Sequence, residues 1–406
     1  MKILVQKFGG TSVATQDRRK QVVGKIREGL KKDFRLVIVV SAMGRQGDPY
    51  ATDTLISLAT KENSRIRPRE LDLLLSCGEI ISAVIMVQTL RSAGINATAL
   101  SGGQAGIITD HHHNQASIIQ VKVEKILKLM EEYEVVVVAG FQGVTTEGEI
   151  TTLGRGGSDT TAVALGAALN AVEVEVYTDV DGVMTADPRM VPEARLLKTI
   201  TYGEVSEMAH LGAKVVHPRA VEIAMSARIP LRIKSTFNNE EGTLITDGPS
   251  IAGVEIKGDK VVTGLAYIPD VAQVILTADR NLNQDGTALK VFQLLAEAGI
   301  SVDMIQVSPD RISFIVEEAR FEEARAVLAD TKLTMDADKG YAKVAVVGAG
   351  MRGVPGVMAR VISGLYQAGI SIIQTTDSHT NIACLVKKED MSEALRALHE
   401  EFGLGG

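Results

Sequence analysis

The sequence predicts an α/β protein with a mainly parallel sheet covered by helices on both faces, followed by two ferredoxin-like βαββαβ units. Short β-branched runs alternate with longer helical patterns over about the first 235 residues, which is typical of a parallel sheet. Residues 135–138 read Val-Val-Val-Val, as expected for a strand that is buried on both faces. The last third of the chain repeats itself at a fixed offset, which predicts the two smaller units.

The first part of the chain divides into alternating elements. Strands are expected at 3–6, 36–41, 135–141, 174–178 and 231–234, and helices at 17–31, 71–93, 123–133 and 159–171. Residues 238–249 are polar and rich in turn formers, which predicts a linker, with a short strand at 243–246.

The repeat has an offset of 70 residues. Ala298-Gly299-Ile300 falls on Ala368-Gly369-Ile370, and Gly286 and Val291 fall on Gly356 and Val361. The first copy predicts strands at 273–277, 301–307, 311–316 and 332–335, with helices at 287–298 and 321–329. The expected domains are therefore 1–237, a linker at 238–260, a first small unit at 261–335 and a second at 340–406, with interleaving of the two small units left open.

Composition excludes several classes of protein. The net charge of −7 and an aromatic content of 4% argue against non-specific nucleic-acid binding and base stacking. The two cysteines, Cys77 and Cys384, build neither a disulfide framework nor a thiolate metal site. The first residues lack the apolar stretch of a signal peptide, and no apolar run approaches the ~20 residues of a membrane span. A cytoplasmic protein is expected.

Lys7-Phe8-Gly9-Gly10-Thr11-Ser12 follows the first strand and precedes a helical stretch. Main-chain amides of a glycine turn that enters a helix can bind an anion, and a lysine adds a point charge for phosphate. The segment does not match the P-loop pattern. On its own it fits a structural turn and a phosphate loop equally well.

A second glycine cluster, residues 154–161, reads Gly-Arg-Gly-Gly-Ser-Asp-Thr-Thr and precedes a helix of small residues. Ser158 is a plausible N-cap of that helix, but a cap does not explain Arg155 among glycines, where the backbone can approach a ligand closely. A guanidinium and a carboxylate, Arg155 and Asp159, suit the two charges of a zwitterion.

Three further patterns carry less weight. Residues 178–183 and 185–189 fit either ordinary turns or a nucleotide loop with acidic groups for Mg²⁺ or ribose. Residues 348–353 match G-x-G-x-x-G, yet the ~55 residues that follow are too few for a dinucleotide-binding fold. His111-His112-His113 lies in a polar stretch without further ligands, so a solvated loop is favoured over a metal site.

A set of seven segments resembles the aspartokinase family in both content and order. They are residues 7–12, 152–159, 178–183 and 186–189, together with Ser41-Ala42-Met43-Gly44, Ser76-Cys77-Gly78-Glu79 and Gly140-Phe141-Gln142-Gly143. The repeated units resemble the paired ACT domains of that family. The resemblance implies an amino-acid-kinase fold and ATP-dependent phosphorylation of the aspartate side chain to 4-phospho-L-aspartate. It also implies feedback regulation at the first step toward lysine (through diaminopimelate), threonine and methionine.

The resemblance assigns residues to each ligand. ATP would contact Lys7, Phe8, Gly9, Gly10, Thr178, Asp179, Met184, Asp187, Arg189, Lys214 and Val215. Aspartate would contact Thr52, Glu79, Arg155, Ser158 and Asp159, with Lys7, Arg155 and Asp159 as the catalytic set. An amino-acid effector would contact Asn283, Gln284, Asp285, Gly286, Thr287, Ile305, Gln306, Thr380 and Asn381. Mg²⁺ is expected with ATP, but no residues are assigned as its protein ligands.

The chemistry suits these residue types. The aspartate carboxylate is ionised at pH 7, so it needs no general base. The main barrier is the approach of an anion to a polyanion, so positioning and charge neutralisation by Lys7 and Mg²⁺ should dominate.

The regulatory copies are expected to differ. The second copy has Val354-Pro355-Gly356 where the first has Gln284-Asp285-Gly286, so the first should be the main effector site. The effector could be lysine, threonine or diaminopimelate, and residues 375–380 look more like the diaminopimelate-responsive type. The ACT domains should pair in a homodimer or a larger oligomer. The alternatives are a kinase acting on glutamate or acetylglutamate, and a non-enzymatic amino-acid sensor.

Overall fold

The computed structural model describes residues 2–213, 215–247, 261–278, 282, 286–331, 333–351 and 353–405. The chain folds into two compact units. The first contains the described residues of 1–183, 196–209 and 214–256, and the second contains those of 184–195, 210–213 and 257–406.

The first unit is built on an eight-stranded sheet with the order β10-β12-β11-β9-β1-β2-β6-β3. A smaller sheet has the order β5-β4-β7-β8. The strands are β1 Lys2–Phe8, β2 Phe34–Val40, β3 Ala97–Leu100, β4 Ile107–Thr109, β5 Ile118–Val121, β6 Val135–Ala139, β7 Gln142–Val144, β8 Ile150–Thr152, β9 Glu173–Thr178, β10 Thr199–Thr201, β11 Leu231–Ser235 and β12 Thr243–Thr246. Every neighbouring pair in the large sheet is parallel except β11 and β12. The predicted mainly parallel sheet is confirmed.

Helices pack against this sheet through apolar side chains. They are α1 Gly10–Val13, α2 Gln16–Lys31, α3 Thr52–Glu62, α4 Pro68–Ser92, α5 Glu124–Glu132, α6 Gly157–Ala168, α7 Tyr202–His210 and α8 Pro218–Ala227. Ile26 of α2, Leu36 of β2 and Met86 of α4 share one core and are fully buried. Helix α4 is long and apolar enough to cross a membrane, with a mean hydropathy of 1.9, but half of that stretch is buried inside the protein. It is therefore explained as a core helix.

Strand β1 occupies the position that organises the sheet. It pairs in parallel with β2 on one side and with β9 on the other. The chain runs outward from β1 through β2 and β6, and later returns to build β9 and β11 on the opposite side. Such a reversal opens a crevice at the carboxyl ends of the strands, where ligands of α/β proteins bind.

Two local predictions need correction. Residues 243–246, expected as a strand inside a linker, form β12 of the main sheet, where they pair with both β11 and β10. The first domain therefore continues beyond 237. The histidine run is not wholly solvated, because His113 Nδ1 lies 2.8 Å from the carboxylate of the fully buried Asp72. His111 and His112 are exposed.

The second unit contains a six-stranded sheet with the order β14-β15-β13-β16-β18-β17. Its strands are β13 Gly264–Thr277, β14 Asp303–Val307, β15 Arg311–Glu317, β16 Thr334–Val347, β17 Gln374–Asp377 and β18 Asn381–Lys387, and its helices are α9 Thr287–Glu297, α10 Phe321–Leu328, α11 Val357–Gln367 and α12 Met391–Glu401. The 70-residue offset is confirmed in three dimensions. Gly286 and Gly356 are the left-handed N-caps of α9 and α11, and Leu295 and Leu365 are equivalent buried core residues.

The two copies share strands. The first half of β13 pairs with the second half of β16, and the second half of β13 pairs with the first half of β16. Leu265 packs in the core of the second copy, whereas Val274 packs in the core of the first. Residues 262–268, which the sequence assigns to the first small unit, therefore contribute to the second.

The edge strands of this sheet are joined by one side chain. The Gln374 amide nitrogen donates to the carbonyl of Met304, and its oxygen accepts from Gln273 and Ser313 at 2.8 Å. Because β14 and β17 lie at opposite ends of the strand order, these hydrogen bonds show that the sheet curls until its two edges meet.

The matched positions of the repeat give a test of the fold. We expect Leu295→Ala and Leu365→Ala each to lower the stability of the second unit by about 2–5 kcal/mol, because each leaves a cavity in a core. Leu289 lies on α9 as well but is 64% exposed, so Leu289→Ala is the control. The midpoints of thermal unfolding should fall by several degrees for the two core variants only, and an equal fall in the control would contradict the assigned cores.

Candidate active site

The candidate site begins where β1 ends. Lys7 Nζ forms an ion pair with Asp159 Oδ1 at 2.7 Å, and the two side chains are only 12% and 14% exposed. Gly9 is the first residue after β1. A Cβ at this position would lie 3.6 Å from Lys7 Nζ. The structure thus brings a lysine, a carboxylate and a glycine turn together at the carboxyl edge of the sheet.

The glycine turn is packed tightly against the loop that follows β2. The amide of Gly44 donates to the carbonyl of Gly10 at 3.0 Å. A Cβ at Gly10 would lie 2.5 Å from the Ala42 carbonyl oxygen, closer than any side chain can approach. Phe8 is fully buried and stacks on Tyr177 with ring centroids 4.7 Å apart, so only its main chain remains for a nucleotide.

The second glycine cluster forms the turn into α6. Gly154 and Gly156 have φ values of 75° and 70°, a left-handed conformation that glycine adopts without strain. Gly156 is the N-cap, and α6 starts at Gly157. The expected N-cap role of Ser158 is therefore wrong, because the backbone enters the helix through a left-handed glycine and places Ser158 in the first turn, where it is buried.

Strain is present beside this turn. Phe141 adopts a φ of 68°, which is costly for a bulky side chain and typical of functional sites. Its amide donates to Thr161 Oγ1 at 3.1 Å, and its carbonyl accepts from the amide of Leu153 at 2.9 Å. These bonds tie the segment after β6 to Thr161 in the first turns of α6 and to Leu153 just before the glycine turn.

Glu79 is an acid buried at the edge of the site. Its Oε1 accepts from the amide of Ala42 at 3.1 Å, while its Oε2 finds no hydrogen-bond partner among the described residues. Burial raises the pKa of Glu79 to about 8. Gly78 beside it contacts Ala42 and Leu55, and Leu55 lies one turn along α3 from Thr52. The start of α3 and this part of α4 thus border the same loop.

Arg155 is exposed and forms no ion pair with another described residue. It lies between two left-handed glycines, so its guanidinium is free to bind an anion.

The loop after β9 forms the other border of the crevice. Thr178 ends β9 and donates to Asp179 Oδ1 at 3.2 Å. Asp179 in turn pairs with Arg45 at 2.6 Å. Val215 lies in the first unit, shortly before α8.

Three other predicted nucleotide residues lie in the second compact unit. Met184, Asp187 and Arg189 belong to the second unit. There, Arg189 and Tyr267 donate hydrogen bonds to Asp187 at 2.6 Å and 3.0 Å, and the bond from Arg189 lowers the pKa of Asp187. Lys214 lies outside the described residues.

The predicted effector residues fall at separate places in the second unit. Gly286 and Thr287 begin α9, and Ile305 and Gln306 lie on the edge strand β14, where both are exposed. Thr380 and Asn381 lie at the start of β18. The remaining three, Asn283, Gln284 and Asp285, lie outside the described residues.

Sequence reasoning missed His217 and Arg219 at the start of α8. A Cβ at Gly156 would lie 2.2 Å from His217 Cγ, so this imidazole packs directly on the glycine turn. Burial lowers the pKa of His217. Arg219 donates to the carbonyls of Leu153 and Ala116 at 3.3 Å and 3.1 Å. The only signal in the sequence was the His-Pro-Arg run before a helix, which indicates a helix start and no more.

Comparison with known proteins agrees with this geometry. The amino acid kinase family model matches residues 2–235, and ACT domain models match 279–331 and 336–400. Aspartokinase 1 of Bacillus subtilis (strain 168) is 47% identical over 404 residues, which cover 100% of both chains. The chain belongs to the aspartokinase family. It is an ATP-dependent aspartate kinase that carries two regulatory ACT domains.

Solved aspartokinase structures share this fold. E. coli aspartokinase III in complex with aspartate and ADP (R-state) has a TM-score of 0.78 at 26% identity, over 98% of this chain and 99% of that one. The same E. coli enzyme in complex with lysine and aspartate (T-state) has a TM-score of 0.76 at 26% identity, over 99% and 100% of the chains. Membership of this family decides against the glutamate-kinase and non-enzymatic alternatives.

The tight turn in this aspartokinase predicts different outcomes for two glycines. We expect Gly10→Ala to lower kcat/KM by about 100-fold, because the added Cβ must push the Ala42–Gly44 loop away from the site. Gly24 lies inside α2 with nothing within 4 Å of a Cβ, so Gly24→Ala should keep activity and stabilise the fold by about 0.5–1 kcal/mol. Steady-state kinetics and thermal unfolding check both, and an active Gly10→Ala enzyme would contradict the close approach.

The buried acid predicts a pH-dependent stability. In the unfolded chain a glutamate ionises near pH 4.3, whereas burial raises the pKa of Glu79 to about 8 in the folded protein. The wild type should therefore lose stability relative to Glu79→Gln as pH rises from about 4.5 to about 8. The melting temperature of Glu79→Gln minus that of the wild type should increase across that pH window and stay constant above it. Glu131→Gln, an exposed control, should show no such trend, and a constant difference for Glu79→Gln would refute the assignment.

Proposed function

We propose that ATP and aspartate react at the carboxyl edge of the first unit, between the Gly9–Gly10 turn and the start of α6. The ion pair between Lys7 and Asp159 is the observation that supports this most strongly. Its lysine nitrogen lies 3.6 Å from where a Cβ of Gly9 would be, so a cation beside an anion-binding turn supports the binding of a polyphosphate there. ATP would contact Lys7, Phe8, Gly9, Gly10, Thr178, Asp179 and Val215, together with Met184, Asp187, Arg189 and Lys214.

The aspartate would bind through its charged groups. The α-carboxylate would pair with Arg155, whose guanidinium is exposed and unpaired within the described chain. The α-ammonium would bind Glu79 or Asp159. An ammonium would supply the missing partner of Glu79 Oε2 and would favour the ionised form of this acid. Thr52 and Ser158 would complete the contacts with the substrate.

The chemical step follows from these charges. An oxygen of the ionised side-chain carboxylate attacks the γ-phosphorus of ATP, the bond from that phosphorus to the bridging oxygen breaks, and its electron pair leaves with ADP. No proton has to move, so the chain needs only to align the groups and neutralise charge. Lys7 would turn from Asp159 toward the transferred phosphoryl group and stabilise the charge there.

Mg²⁺ would enter with ATP. Among the described residues no group of three or more histidine, cysteine or acidic side chains could hold a metal ion. Mg²⁺ usually keeps several waters and binds phosphates with one or two carboxylates. When bound, the ion would neutralise phosphate charge.

We further propose that an amino-acid effector controls the enzyme through the first ACT copy, at Gly286, Thr287, Ile305 and Gln306 with the preceding Asn283, Gln284 and Asp285, and with Thr380 and Asn381 as the second-copy positions. The amides at the start of α9 could bind its carboxylate. Lysine, threonine and diaminopimelate are the candidates, with diaminopimelate favoured by residues 375–380. Lysine is bound in one E. coli structure. The enzyme would act in the cytoplasm as a homodimer or larger oligomer, at the first step toward lysine, threonine and methionine.

A coupled assay of ADP release tests the function. Activity should appear with aspartate and be absent with glutamate and acetylglutamate, and it should require Mg²⁺. Titration with lysine, threonine and diaminopimelate should reveal the inhibitor. Activity confined to glutamate would overturn the proposal.

Two variants separate the roles of the cations. We expect Lys7→Ala to lower kcat by about 100-fold or more, because it removes charge stabilisation from the transition state. Arg155→Ala should instead raise KM for aspartate by about tenfold or more, since it removes a charge-assisted contact, and Arg155→Lys should restore part of the affinity. Lys20→Ala is the control, because Lys20 is 64% exposed on α2. Wild-type kinetics for either variant would mean that its role is misassigned.

A further inference from the structure

Arg45 makes a contact that crosses the top of the candidate site. Its guanidinium lies 2.6 Å from Asp179 Oδ2. Arg45 belongs to the loop after β2, and Asp179 belongs to the loop after β9. Because β2 and β9 are the two neighbours of β1, this ion pair spans the glycine turn at the end of β1.

The backbone around Arg45 is fixed. The amide of Arg45 donates to Asp48 Oδ2 at 2.8 Å, and the amide of Asp48 donates to the carbonyl of Arg45 at 2.9 Å. Gly44 has a φ of 90° and is bonded to Gly10 at 3.0 Å. These bonds hold the Cα of Arg45 beside the glycine turn.

The side chain of Arg45 is held much less firmly. It is 72% exposed and Asp179 is 41% exposed, and exposed ion pairs contribute little to stability. Within the described part of the chain, Asp179 is the only hydrogen-bond or ion-pair partner of this guanidinium. The guanidinium can therefore exchange Asp179 for another anion at small cost, while its Cα stays in place.

A polyphosphate at the glycine turn needs a cation that is not already neutralised. Lys7 is already neutralised by Asp159, so the pair brings no net charge to a nucleotide. Arg45 is a second cation beside the turn, since the residue before it, Gly44, is hydrogen-bonded to Gly10. Guanidinium binds phosphate oxygens through two parallel hydrogen bonds, which gives both strength and orientation.

We propose that Arg45 is a nucleotide-binding residue that leaves Asp179 and binds the polyphosphate of ATP when the nucleotide occupies the Gly9–Gly10 turn. The exchange would release Asp179 to accept a hydrogen bond from the ribose. This inference rests on the proposed placement of ATP on that turn. The loop after β2 would then contribute a side chain to nucleotide binding as well as packing against the glycine turn.

The affinities of ADP and adenosine for the full-length enzyme test this inference, as measured by isothermal titration calorimetry. Arg45→Ala should weaken ADP binding by about 10- to 100-fold, as expected for a lost charge-assisted contact, and should leave adenosine binding within twofold. It should raise KM for ATP and leave KM for aspartate unchanged, and Arg45→Lys should lie in between. Arg69→Ala is the matched control, because Arg69 is also exposed and also pairs with a carboxylate, that of Glu149, at 2.7 Å.

The outcomes are distinct. Unchanged ADP affinity in Arg45→Ala would overturn the proposal, and so would an equal loss for ADP and adenosine, which would indicate a structural role only. If the wild type binds ADP but does not phosphorylate aspartate, the proposed function fails. The comparison of ADP affinity between the wild type and Arg45→Ala still decides the role of Arg45. If the wild type binds no ADP, the placement of ATP and the proposal fail together.

Discussion

The parallel pairing of β1 on both sides is the constraint on which the candidate site depends. Because β1 lies between β2 and β9, the loops that follow three adjacent strands meet at one edge. Gly10 packs against the Ala42–Gly44 loop so closely that the two main chains leave no room for a side chain. Lys7, at the end of β1, can then face both the turn and Asp159 on α6. The chemistry is thus positioned by backbone packing before any ligand arrives.

Much of this could be predicted because its signals are local in sequence. The glycine turns at 9–10 and 154–157, the apolar run at 135–138 and the 70-residue repeat each lie within one stretch or at one fixed offset. The resemblance to aspartokinases then supplied roles for residues such as Glu79. No sequence pattern predicts that this acid is buried with one oxygen unpaired among the described residues. Family membership is confirmed by the comparisons, whereas the individual roles stay predictions.

The rest could not be predicted, because it depends on residues that meet only in the folded chain. Arg45 and Asp179 are 134 residues apart, and nothing in either loop reveals that β1 separates their strands. His217 lies against Gly156 for a similar reason. The hydrogen bond from Tyr267 to Asp187 likewise joins residues 80 positions apart, and no pattern around either residue predicts it. Ser158 was misread as a cap because the sequence does not show which glycine takes the left-handed conformation.

The shared strands of the second unit have a consequence for how this part of the enzyme comes apart. Each of β13 and β16 contributes to both cores over 14 residues, and their pairing shifts in register between Ile268 and Gln273, where one core gives way to the other. The two copies are therefore not independent domains, because they are joined through common strands. Separation of β13 from β16 in one copy therefore acts on strands that the other copy also uses, so the two copies share their stability although each has a core of its own.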